Sequence, residues 1–152
     1  MAKHLLKYFL PVLLNLGLAQ SGFAQAPAGP GGDLLPPDEA FKFKVAFKGT
    51  QTLVADLVPA KNYYLYKNKL RFAVKAPGGA LIKDIRLPAG ESKNDPFFGT
   101  MEIYRKPIQA EIALERNAST KKFTLLATYQ GCNEKVGVCY PPIEKSLDLV
   151  LP

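Results

Sequence analysis

The chain has 152 residues and a formal net charge of +7 at pH 7. It holds two cysteines, one histidine and no tryptophan. The histidine is His4, at the extreme N-terminus. Behind it, Ser-His-Asp and Cys-His catalysis are excluded, and so are most zinc and copper sites.

Lys3, His4 and Lys7 form a positive start, followed by a mostly apolar stretch over residues 5–18 that Pro11, Asn15 and Gly17 interrupt. Gly22-Phe23-Ala24 and Ala24-Gln25-Ala26 both suit a signal peptidase. Residues 1–24 therefore read as a secretory signal peptide, too short and too interrupted for a spanning helix. No cysteine follows the apolar stretch, which argues against a lipoprotein anchor. Without Lys3 and Lys7 the charge falls by two to +5. The remaining length of about 125 residues suits one domain with its own core. The basic residues are dispersed and often alternate with apolar ones, as solvated strand faces do, so no nucleic-acid partner is expected.

Residues 25–37 are rich in Pro, Gly and Ala and read as a tether or arm, not a packed element. The globular domain is expected over residues 38–152. It opens with alternation: Phe41, Phe43, Val45 and Phe47 share one strand face, and Lys42, Lys44 and Lys48 the other. Further strands are expected over residues 52–58, 63–66, 70–74, 81–87, 100–104, 108–114, 123–129 and 145–151. Ala76-Pro77-Gly78-Gly79 breaks the chain between two of them. Turn signals recur every 8–12 residues or so, the spacing of a β-sandwich. The expected fold is all-β, an immunoglobulin-like antiparallel sandwich of two packed sheets. The usual inter-sheet disulfide of antibody domains is absent, because the two cysteines are too close in sequence.

Those cysteines, Cys132 and Cys139, flank a loop containing Gly137. They close the neck of a hairpin, where opposed strand positions approach the separation a disulfide needs. Such a bond is either a structural staple or a working dithiol. A working dithiol needs access, cover against stray oxidants, and groups that tune the thiol. Asp95-Pro96-Phe97-Phe98-Gly99 is a turn-prone segment whose two aromatics can cover a sulfur pair, or can be ordinary core. Tyr64 and Tyr66 lie two apart on a strand and share a face. A carboxylate such as Asp95 beside a thiol would raise its pKa and slow attack. Pro141-Pro142 stops regular pairing after Cys139-Tyr140, which either exposes the cysteine edge or protects it from aggregation. A soft-metal site from Cys132, Cys139 and Met101 is the weakest alternative.

The chain resembles the periplasmic N-terminal domain of the thiol:disulfide interchange protein DsbD. The carrying segments are Pro37-Asp38-Glu39-Ala40-Phe41, Tyr63-Tyr64-Leu65-Tyr66, Ile85-Arg86-Leu87-Pro88, Asp95-Pro96-Phe97-Phe98-Gly99, Glu102-Ile103-Tyr104-Arg105, and Tyr129-Gln130-Gly131-Cys132 with Cys139-Tyr140-Pro141-Pro142. The resemblance implies a sandwich with a redox-active cysteine pair and no cofactor. It implies Cys139 as the attacking cysteine and Cys132 as the resolving one. Phe97 would belong to a cap loop, with Phe98 beside it, and Asp95, Tyr64 and Tyr66 would line the site. The implied electron donor is a membrane-embedded DsbD-type domain or a thioredoxin-like domain. The implied acceptors are periplasmic disulfide isomerases or other thioredoxin-fold proteins. The runner-up is a periplasmic adaptor sandwich with a purely structural disulfide.

Three departures from the family pattern stand out. Pro96 replaces a residue that is often acidic. The loop between the cysteines is a residue longer. The chain stops at Pro152, where family members continue into a membrane domain and a thioredoxin-like domain, so it reads as a stand-alone relative or as a segment cut at a domain boundary.

Overall fold

The structure, a computed structural model, describes residues 34–75, 79–96 and 98–152. The expected signal peptide, most of the arm, the break at residues 76–78 and the candidate Phe97 lie outside the described residues. In chain order the elements are a helical turn α1 (Pro37–Ala40), then β1 (Phe41–Phe47), β2 (Thr52–Pro59), β3 (Tyr63–Tyr66), β4 (Arg71–Val74), β5 (Ala80–Arg86), β6 (Glu91–Asp95), β7 (Gly99–Tyr104), β8 (Ile108–Arg116), β9 (Lys122–Tyr129), β10 (Gly131–Asn133), β11 (Val138–Cys139) and β12 (Ile143–Val150).

The expected immunoglobulin-like antiparallel sandwich forms. Its hydrogen bonding divides into three sheets where the sequence suggested two. They run β1-β2-β8-β5, β12-β9-β4 and β11-β10-β3-β7-β6. The first two sheets follow directly from alternation. Leu53, Ala55 and Leu57 on β2, Ala110, Ile112 and Leu114 on β8, and Phe123, Leu125, Ala127 and Tyr129 on β9 are all buried. They form one core with Phe41, and each fully buried Leu or Ile contributes about 1.5–3 kcal/mol. Phe41 meets Tyr63 and Tyr140 edge-on, at ring separations of 5.7 and 5.4 Å.

The third sheet is different because its strand β3 is buried on both faces. Tyr63 and Leu65 face the main core. Tyr64 and Tyr66 face a second cluster with Ile103 and Cys132. This is the two-residue period of a strand put to two uses. Strand β7 does the same, with Tyr104 in the main core and Ile103 in the second cluster.

Two expectations need correction. Strand β6 was not expected, because Glu91-Ser92-Lys93-Asn94-Asp95 carries no apolar alternation. It is a polar edge strand, paired among the described residues with β7 alone. The end of the expected arm is also packed rather than loose. Leu34 and Leu35 lie against the main core. The Leu35 N–H donates to the Tyr63 hydroxyl at 2.9 Å, and the Tyr140 hydroxyl donates to the Leu35 carbonyl at 2.6 Å. Two half-buried leucines in a Pro-rich run dock the chain there, with a hydroxyl pair satisfying the Leu35 backbone.

Candidate redox site

The site grows from β3 outward. Cys132 pairs with Tyr64 on one side and with Cys139 on the other. The two cysteines are direct cross-strand partners, joined as a disulfide with Cα atoms 3.9 Å apart. Glycine is required just before them. A Cβ on Gly131 would lie 2.3 Å from the Tyr64 carbonyl oxygen and 2.6 Å from the Phe41 ring. The bare backbone lets β10 lie close to both.

The two sulfurs differ in access. Cys132 is only 1% exposed, whereas Cys139, on the outermost strand, is half-buried. The enclosed sulfur lies on the inner strand β10 and the more accessible one on the edge strand β11.

A polar network sits beneath the sulfurs. The Tyr66 hydroxyl lies 3.1 Å from Cys132 Sγ and 3.7 Å from Cys139 Sγ. It donates to Asp95 Oδ2 at 2.7 Å, and the Tyr64 hydroxyl donates to the same oxygen at 2.9 Å. Asp95 is 3% exposed, and its other oxygen accepts the Phe98 N–H at 3.2 Å. Burial, then the Asp95 carboxylate and the Tyr64 hydroxyl, hold the Tyr66 phenol well above the ordinary tyrosine range. Burial also raises Tyr64, with its bond to Tyr66 pulling the other way. Tyr66 has one proton, and a charged acceptor outcompetes sulfur for it. Its oxygen therefore turns lone pairs toward the sulfurs, which suits a thiol S–H better than a thiolate.

Phe98 covers this network from the face of the sheet. Its ring meets Tyr66 edge-on at 5.3 Å while remaining 42% exposed. Lys69 Nζ lies 4.5 Å from the centre of the Phe98 ring, and Lys93 Nζ lies 5.3 Å from that of Tyr64. Of the sequence candidates, Cys132, Cys139, Tyr64, Tyr66, Asp95 and Phe98 come together. Met101 packs beside the cluster. Among the described residues no three His, Cys, Asp or Glu side chains gather as metal ligands.

Sequence reasoning missed the residues that hold the loop between the cysteines. Asn133 Oδ1 accepts the N–H groups of Lys135 and Val136, a local turn, and Gly137 takes a left-handed φ of 66°. Glu134 is gripped by Arg105 through two bonds, of 3.0 and 2.7 Å, and by Lys93 at 3.2 Å. Arg105 also reaches Glu91 at 2.7 Å. The Arg105 hydrogen bonds, with help from Lys93, hold the Glu134 carboxyl down to about 2. Arg105 stood in a segment that carried the family resemblance. Nothing local tied it to Glu134, 29 residues away.

A sandwich domain with a cross-strand disulfide on its edge and a buried Tyr-Tyr-Asp network beneath the sulfurs fits a thiol:disulfide interchange domain, and the comparisons agree. Residues 32–151 match the family described as "Thiol:disulfide interchange protein DsbD, N-terminal". The chain is 35% identical over 145 residues to thiol:disulfide interchange protein DsbD 1 of Pseudomonas aeruginosa, covering 95% of this chain and 24% of that protein. It is 35% identical over 144 residues to DsbD of Ralstonia nicotianae, covering 91% of this chain and 23% of that one. Among solved structures it resembles the reduced DsbD N-terminal domain of Neisseria meningitidis, with a TM-score of 0.70 and 32% identity over 78% of this chain and 91% of that one. It also resembles the complex between the DsbD and PilB N-terminal domains of that organism, with a TM-score of 0.60 and 32% identity over 76% of this chain and 87% of that one. The chain belongs to the DsbD N-terminal domain family. It spans about a quarter of the length of the full DsbD relatives it matches.

Proposed function

We propose that this domain is a periplasmic electron carrier, exported behind residues 1–24, in which Cys139 attacks and Cys132 resolves. The observation that carries the assignment is the unequal access of the two sulfurs: Cys139 half-buried on the edge, Cys132 enclosed. The Cys139 thiolate attacks one sulfur of a partner disulfide and forms a mixed disulfide, while the partner's other sulfur leaves as thiolate. The Cys132 thiolate then attacks Cys139 Sγ, restoring the Cys132–Cys139 bond and expelling the partner's second thiolate. Two electrons pass to the partner, and the two leaving thiolates take up the protons that the domain's thiols gave up.

In this reading Asp95, Tyr64 and Tyr66 favour the thiol form of the resting dithiol, and Phe98 shields it. The electron donor is a membrane-embedded DsbD-type domain or a thioredoxin-like domain. The acceptors are disulfide isomerases or other thioredoxin-fold proteins. The related Neisseria domain's complex with a PilB N-terminal domain supports a protein partner.

Trapping tests the roles. Reduced Cys132→Ser should accumulate a stable mixed disulfide with an oxidised thioredoxin-fold protein, and Cys139→Ser should accumulate none. The pair's reduction potential should fall at about −270 to −180 mV. A value below about −300 mV, with neither variant trapping a partner, would make the bond a structural staple.

A further inference from the structure

Cys139 sits between two stretches that are held very differently. Residues 134–138, which lead into it, are all exposed. Tyr140, which follows it, is buried, and each of its polar groups is bonded. Its N–H donates to the Gly131 carbonyl at 2.9 Å. Its carbonyl accepts Gln130 Nε2 at 2.9 Å. Its hydroxyl donates to the Leu35 carbonyl at 2.6 Å. Its ring meets Phe41 edge-on at 5.4 Å and lies tilted against Tyr63 at 6.1 Å.

The Leu35 bond crosses 105 residues of sequence to a stretch outside every strand. The Tyr63 hydroxyl accepts the Leu35 N–H at 2.9 Å, so two tyrosines grip one residue by its N–H and its carbonyl. The side chains of Leu34 and Leu35 pack against the main core. Tyr63 lies on β3, the strand that pairs with β10 and Cys132. The grip on Leu35 therefore joins the strand supporting Cys132 to the residue that follows Cys139. It is a noncovalent bridge in parallel with the disulfide.

With the disulfide closed, that bridge is redundant for Cys139, because the S–S bond already fixes it against Cys132. Once the bond opens, little else holds the sulfur. Strand β11 has two residues, well short of an ordinary strand, and the loop before it is exposed. Closure then depends on the effective concentration of one sulfur at the other. An anchor one residue away raises that concentration by limiting where Cys139 can go.

We propose that the Leu34-Leu35 arm, through Tyr140, positions Cys139 for closure and so sets the reduction potential of the pair. This rests on Cys132 and Cys139 being a working dithiol. Leu35, Tyr63 and Tyr140 act through Cys139 and are positioning residues. Cutting the tether frees the reduced form more than the oxidised form, where the S–S bond still restrains Cys139. The bond then becomes easier to reduce, and its potential rises.

The test cuts the tether of the full chain in two independent places. Tyr140→Phe keeps the ring and removes the hydroxyl. Leu34→Ala with Leu35→Ala leaves Tyr140 intact. Each chain is equilibrated in graded glutathione and dithiothreitol buffers, and its redox state is read by mass spectrometry. Two thiol groups of the buffer open the Cys132–Cys139 bond and become the buffer's disulfide, while their two protons end on the protein thiols. Each cut should weaken closure about fivefold, the worth of roughly one hydrogen bond. For a two-electron couple that is a rise of about 20 mV. The combined variant should shift no further than the larger single cut, because both open the same tether. Tyr129→Phe, in the main core, should leave the potential unmoved. A fall in urea stability with an unmoved potential means that the arm supports both redox states alike, and overturns the tether alone. An equal shift in Tyr129→Phe does the same. A wild-type bond that stays closed throughout the glutathione buffers, and yields only to dithiothreitol, overturns the working dithiol and the tether with it.

Discussion

Tyr129 and Tyr66 are both fully buried tyrosines, each packed against aromatic rings, and the partners of their hydroxyls differ. Tyr129 lies in the main core, against the rings of Phe41 and Phe43. Among the described residues its hydroxyl has no hydrogen-bond partner, and burial pushes its phenol up to about 12. Tyr66 lies in the second cluster, bonded to Asp95 and within reach of both sulfurs. Burial alone therefore marks no functional group here. The main core tolerates an idle hydroxyl because aromatic packing offsets its desolvation. The second cluster is small, and its polar atoms are organised around one carboxylate. That difference separates the part of the molecule that makes it fold from the part that can act on thiols.

The largest test of this division is Gly131→Ala, because Gly131 lies between the two clusters. Its Cβ would strike the Tyr64 backbone and the Phe41 ring together. Backbone cannot move aside cheaply, so a loss of about 3 kcal/mol in urea unfolding is expected, at the upper end for overpacking. A loss below about 1 kcal/mol would mean that β10 is not held against β3 as described.

The next test sets the two tyrosines against each other. Tyr66→Phe removes a donor from a buried carboxylate and should cost about 1–3 kcal/mol. It should also change the alkylation rate of the reduced cysteines. Tyr129→Phe removes an unsatisfied hydroxyl and should be neutral or stabilising, within about 1 kcal/mol, with unchanged alkylation. Equal effects from both would erase the comparison.

The smallest expected effect is at the rim. Glu134 has a folded pKa held below its unfolded value, so its stabilisation is present above the unfolded pKa and lost as pH falls through the folded one. The window runs from about 4.3 down to about 2. Its side chain is 39% exposed, so screening keeps the contribution under about 1 kcal/mol. Glu134→Gln should flatten the acid-side fall in stability across that window by this amount, as followed by thermal unfolding at stepped pH. An unchanged slope would mean the Arg105 clamp does not hold the loop.

Much of this molecule is local in origin. Alternation along β1, β2, β8 and β9 determined which side chains go inward, because a strand's period needs no partner to be read. The shared face of Tyr64 and Tyr66 came from the same rule. The close cysteine pair and its flanking segments pointed to the family and its chemistry. Other features existed only once strands were ordered in sheets. Polar β6 shows no pattern by itself, yet it brings Asp95 to two hydroxyls 29 and 31 residues away. Cys132 and Cys139 are alike as letters, and only the tertiary structure placed one enclosed on an inner strand and the other, more accessible, on the edge. Leu34 and Leu35 looked like the end of a tether until the main core met their side chains and Tyr63 and Tyr140 met the Leu35 backbone. The physical reason is the same in each case: a side chain's face is set by its own strand, but its neighbours, its access and its proton partners are set by strands far away in sequence.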